Sequence, residues 1–221
     1  MNVIFTLEDV LLPVARALRL TAAADMALAV SRIDVLHREL CGLAPWPALR
    51  AVAQVTTTGQ PVALAAAVGI SSVTGAAGEV FWFAERADTL ASELGGRLLW
   101  SLGMPARNDA GALLFDLWDW DDDTDARVAA TGGVVSVAYW KTPGTLAVGT
   151  DRLALPSTRA LVVRAVLDLV GLMDRKDADV AAWRGEMDSS MQELRSLLPV
   201  AGTQQVLRLP SGRVLTRGPS R

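Results

Sequence analysis

Residues 160–198, ALVVRAVLDLVGLMDRKDADVAAWRGEMDSSMQELRSLL, decide how the rest of the chain is read. The first part, Ala160 to Met173, is apolar on most sides and interrupted mainly by Arg164 and Asp168. A helix with so little polar surface must sit between other elements. Pro156-Ser157 supplies a stop and a cap ahead of it. After Asp174-Arg175-Lys176-Asp177 the apolar positions Val180, Trp183, Met187, Met191, Leu194 and Leu198 recur at three- and four-residue steps. That spacing keeps one stripe of a second helix against a partner. With so short a link, the two helices are expected to form an antiparallel hairpin.

The N-terminal region offers the surface on which such a hairpin would dock. Thr6 can cap a first helix, Glu8 and Asp9 suit the positive end of its dipole, and Pro13 bends or restarts it. From Thr21 to Cys41 the stripe Met26, Val30, Ile33, Leu36 and Leu40 describes an amphipathic helix. Gly42 and Pro45-Trp46-Pro47 close it.

Between these helical regions the period changes to two. Leu49, Ala51, Ala53 and Val55 alternate, Thr58-Gly59-Gln60 reads as a turn, and Val62 and Leu64 resume, which predicts a hairpin. Ile70 to Val73 and Val80 to Phe83 repeat that grammar around Thr74 to Gly78. Ala84 to Leu94 suits a short helix ended by Gly95-Gly96, and Leu98 to Leu102 is an apolar run of either type. Leu113 to Trp118 and Val134 to Trp140 are further strands, for five or six short ones in all. The expected fold is therefore α+β: an antiparallel helical bundle of N- and C-terminal helices, a small inserted antiparallel β domain, and an extended C-terminal tail. The corresponding divisions are 1–44, 45–152, 153–198 and 199–221.

Composition narrows the function. A net charge of -3 opposes general binding to duplex nucleic acid, which draws its affinity from Lys and Arg displacing counterions. The start MNVIFTLEDVLLP lacks a basic leader region, and no apolar run approaches the roughly 18 residues of a membrane span. A cytosolic, unanchored chain is expected. One cysteine, Cys41, excludes an internal disulfide, and one histidine, His37, removes most of the usual catalytic vocabulary. His37 lies on or beside the apolar stripe of its helix, so a packed, hydrogen-bonded histidine is favoured over a general base. Cys41 sits at a helix end, where the dipole disfavours a thiolate. Neither a zincin helix, nor a G-x-S-x-G turn, nor a phosphate-binding P-loop occurs. No enzyme activity and no cofactor are expected.

Two charged segments stand out. Asp116, Asp119, Asp121, Asp122, Asp123 and Asp125 crowd one loop, and Asp119, Asp121 and Asp123 have the alternate spacing of a calcium loop. The pattern then breaks, because Thr124 stands at the turn glycine and Ala130 at the bidentate glutamate. A solvated, mutually repelling loop is favoured, with the three aspartates a weak candidate for Ca²⁺ or Mg²⁺. Trp118 and Trp120 alternate with the acids and would share one face of a strand end. Residues 199–221 contain Arg208, Arg213, Arg217 and Arg221 without an acid. Val206, Leu207, Leu209, Val214 and Leu215 flank Pro210-Ser211-Gly212, so this segment could form a small hairpin or add a strand to a neighbouring sheet. Its apolar area is too small to order it alone, so order must come from a partner. Leu207, Arg208, Leu209, Arg213, Val214, Leu215 and Arg217 are the candidate partner-binding residues.

In its sequence of parts the chain resembles the head-to-tail adaptor (connector) proteins of tailed bacteriophages. The resemblance rests on the helical stretch closing at Leu40-Cys41-Gly42, the segment Trp46 to Val55 followed by the Thr57-Thr58-Gly59-Gln60 turn, and Val135 to Pro143 (VSVAYWKTP). Leu153-Ala154-Leu155-Pro156 and the helix pair with its Asp174 to Asp177 joint complete it. It covers most of residues 6–198 as a pattern of spaced types, with no invariant motif. It implies a structural virion protein assembled as a ring, commonly of twelve copies, that joins portal to tail and retains and conducts packaged DNA. The implied partners are the portal protein, neighbouring copies, the next neck or tail protein, and DNA passing without sequence-specific contact; no membrane is involved. The implied location is the virion neck, after assembly in the host cytoplasm. Asp119, Asp121, Asp122, Asp123 and Asp125 would then face the lumen or the next ring. The competing readings are another neck or tail-completion protein, and an Asp-loop-dependent metal-binding module or small enzyme.

Overall fold

A computed structural model describes residues 4–57, 61–84, 98–121, 123–124, 126–130, 133–174 and 180–198. The chain divides into two compact units, one drawn from Met1–Leu49 with Pro143–Val200 and the other containing Arg50–Thr142. Four α-helices, one turn of 3-10 helix (Pro47–Leu49) and eight strands make up the described elements.

The first unit holds α1 (Leu7–Leu18), α2 (Ala23–Gly42), α3 (Arg159–Leu172) and α4 (Val180–Ser196). Thr6 and Asp9 close a reciprocal capping box at the start of α1. Pro13 does not split this helix. It lies on the exposed side, where the carbonyl that loses its amide partner can be hydrated, while Leu7, Val10, Val14 and Leu18 bury the opposite stripe. At the far end of α2, the Trp46 indole N–H donates to the Leu40 carbonyl at 3.1 Å and its ring is fully buried, which seals the helix before Pro47. The apolar helix foreseen at Ala160 to Met173 is α3, and it is the hub: it packs on α1, α2 and α4. Bidentate contacts of Arg32 with Asp168, at 2.6 and 2.9 Å, and an Arg164–Glu39 pair at 2.9 Å join α2 to α3. Arg159 meets Glu186 and Glu193 across to α4.

The second unit is one curled sheet of β1 (Arg50–Thr56), β2 (Val62–Leu64), β3 (Ala67–Gly75), β4 (Val80–Phe83), β5 (Leu99–Arg107), β6 (Leu113–Asp121), β7 (Ala126–Ala129) and β8 (Val134–Lys141). The order is β1-β8-β3-β4-β5-β6-β2, with β7 also on β6. Its core gathers Ile70, Val73, Trp100, Phe115, Leu117 and Val137 from four strands. Arg107 donates to the Ala67 carbonyl at 2.9 Å, holding β5 near the start of β3 as the sheet curls.

The expected fold class is corrected by these observations. The chain is mixed α/β and dominated by its sheet, not an antiparallel helical bundle with a small inserted antiparallel β domain. α4 packs mainly on α3 instead of completing a bundle with α1 and α2. The sheet has eight strands in place of five or six, three of them nine residues long, and β4–β5 is parallel. The first expected hairpin is absent as well: β1 pairs with β8 and β2 with β6. Local alternation marks a strand but carries no information on which distant strand will accept its hydrogen bonds. The β3–β4 hairpin does form, with Val73 opposite Phe81. The expected helix from Ala84 to Leu94 lies outside the described residues beyond Ala84, and so does the extended tail, 199–221. No helix among the described residues is long and apolar enough to cross a membrane.

Candidate functional site

The polar residues of α2 converge on the returning segment of the same unit. α2 brings Asp34, His37 and Cys41 to its buried side at one-turn spacing. Opposite them runs 143–155, an irregular stretch whose Leu146, Leu153 and Leu155 are buried. Apart from a short bridge of Arg152 to Thr6, with the Leu153 amide on the Phe5 carbonyl, its backbone has no sheet partner among the described residues, so side chains supply further acceptors. The Leu146 amide donates to Asp34 at 2.8 Å and the Ala154 amide to His37 Nε2 at 3.0 Å. Arg38 donates to both Asp34 and Thr145. On its other side the segment accepts the Leu7 and Glu8 amides at Asp151 and Gly149, occupying donors that the first turn of α1 leaves open. The Asp151 carboxylate takes the Ala147 and Val148 amides at 2.7 Å, and those bonds hold it below the usual carboxylate range.

This constellation clasps backbone. Since Ala154 donates to Nε2, the neutral ring carries its proton on Nδ1, which finds no hydrogen-bond partner. Burial is the main force pulling His37 down to about 4; Asp34 opposes the shift and Arg38 reinforces it. The Cys41 sulfur lies 3.4 Å from Nε2, but burial pushes its thiol up to about 12. A nucleophilic Cys–His pair needs the reverse, a lowered thiol beside an imidazole that can take its proton.

The aspartate loop is a strand-to-strand turn. Asp119 and Asp121 lie at the end of β6, paired with Val128 and Ala126 of β7, and Asp123 follows in the turn. Asp121 accepts the Thr124 hydroxyl at 2.7 Å and the Asp123 amide at 3.0 Å, and these two bonds hold its carboxyl below the ordinary range. Its oxygens thus stabilise the turn. Among the described residues no three His, Cys, Asp or Glu side chains converge as a metal set would. Trp118 donates its indole N–H to Ser101 at 3.0 Å. Asp122 and Asp125 lie outside the described residues, as do Leu207, Arg208, Leu209, Arg213, Val214, Leu215 and Arg217.

What residue patterning missed is an edge. β1 is seven residues long and pairs in unbroken register with β8 along one side only among the described residues. After Arg50 its residues, AVAQVT, include no charge and no proline, and Val52 is 66% exposed. The strands at the other side of the sheet, β2 and β7, are three and four residues long. Short, charged or bulged edges resist pairing with another chain, whereas a long regular one invites it. The lack of charge from Ala51 to Thr56 was the available signal. Compared with known proteins, the chain matches no family model and no curated sequence.

Proposed function

We propose that this protein is a structural subunit of a tailed-bacteriophage neck, a head-to-tail adaptor that assembles as a ring between portal and tail. The observation that carries an assembly role is the seven-residue strand β1, paired along one side only among the described residues. A strand of that length with one side unpaired is a ready template for protein association. The clasp on α2 supports the same direction, because the sole imidazole of the chain accepts a backbone amide and the sole thiol, beside it, is pushed up by burial, the reverse of what a nucleophilic pair needs. The choice of adaptor among assembly proteins rests on the sequence resemblance over residues 6–198. A mild excess of acid suits a conduit through which DNA must slide without being held.

Negative-stain imaging of the purified full-length chain mixed with portal tests the reading. Rings capping the portal are expected. Portal particles indistinguishable from those without the protein would reject it.

A further inference from the structure

Two parts of this chain carry opposite net charge. Residues 50–142 contain eleven acids against six bases, while residues 199–221 contain four arginines and no acid. Within the basic segment, Gln205 to Leu209 reads QVLRL, five residues without glycine or proline and stopped by Pro210. In an extended conformation Leu207 and Leu209 share one face, with Val206 and Arg208 on the other.

β1 has the matching division. Ala53 and Val55 pack towards the sheet core, and Val52 and Gln54 are exposed on the opposite face. A strand laid along β1 would continue that core with Leu207 and Leu209 and place Arg208 on the solvent side beside Val52 or Gln54. Main-chain hydrogen bonds would supply affinity, and the alternating side chains would supply register. The arginines would add attraction to the acidic unit that is sensitive to salt.

We infer that Gln205–Leu209 of one copy adds as a strand to the outer edge of β1 in a neighbouring copy, linking subunits side by side. The choice of a neighbouring copy rests on the ring reading; the edge and its strand complement do not.

Engineered cysteines in the full-length chain test this. One preparation carries Val52→Cys or, to cover both registers, Gln54→Cys; the other carries Arg208→Cys. The native Cys41 is buried and stays in both. On mixing and mild oxidation, a disulfide-linked pair is expected on a non-reducing gel, at least tenfold above that from a control with Val128→Cys on exposed β7. Adding Leu207→Pro to the Arg208→Cys chain should cut the yield at least tenfold, since proline cannot serve an inner strand position. No cross-link above the control overturns the inference. A cross-link confined to doubly substituted single chains, with none between mixed chains, overturns transfer between copies. Imaging of the unsubstituted protein with portal separates the two levels: rings without the cross-link remove only this inference, and the cross-link without rings removes the adaptor reading.

Discussion

Acid should loosen this protein through His37, and a non-titrating substitute should remove that sensitivity. The imidazole is buried against Ala154, with Asp34, Arg38 and Cys41 as its polar neighbours, and burial pulls it from 6.5 to about 4. A group whose folded value lies below its unfolded value binds protons more readily in the unfolded chain. Its contribution is complete above about pH 6.5 and is lost as the pH falls through the window down to about 4. One pH unit of displacement corresponds to about 1.4 kcal/mol, so the whole window is worth about 3 kcal/mol. His37→Gln retains an acceptor that can meet the Ala154 amide and carries no titrating group. The assay is urea unfolding followed by tryptophan fluorescence at several pH values between about 7.5 and 4, for both proteins. Carboxylates such as Asp121 and Asp151 also lose their hydrogen-bonded advantage in acid, but they do so in both chains and cancel in the difference. The native protein should lose about 3 kcal/mol more than His37→Gln across the window. Parallel stability curves would refute the burial argument.

Three further outcomes follow from named contacts. Asp34→Ala leaves the Leu146 amide buried without its acceptor and should cost about 2–3 kcal/mol in urea unfolding, with Asp34→Asn costing less than half of that. A Cβ at Gly103 would stand 2.9 Å from the Leu114 Cβ, so Gly103→Ala should lower stability by about 1–3 kcal/mol in a thermal melt, whereas Gly144→Ala, with open space around it, should change it little. Deleting residues 199–221 should leave the melting temperature within about 2 °C of the full chain, since both described cores lie outside that segment, and should abolish association with neighbouring copies or portal in sedimentation velocity.

Helices were legible because their information is local. The stripe of α2, the Thr6 cap with its acidic first turn and the near-uniform apolarity of α3 each lie within a few turns of chain, and α3 turned out to be the hub its composition demanded. The sheet was legible strand by strand but not as a sheet. β1 and β8 meet across some eighty residues, and nothing in AVAQVT names VVSVAYW as its partner. β7, with ARVA as its whole length, is too short and mixed to show a period, so the aspartates read as a loop when two of them end a strand. The His37 clasp was half visible. Its place on a buried stripe follows from spacing, but its partner Ala154 is more than a hundred residues away in an irregular segment with no pattern to announce it.

The most direct test of an assembling neck subunit is the mass of single particles of portal before and after addition of the full-length protein. The account predicts a step equal to a closed ring of 23.4 kDa copies, with few particles between the empty and the filled mass. An unchanged portal mass beside a monomer peak would contradict it.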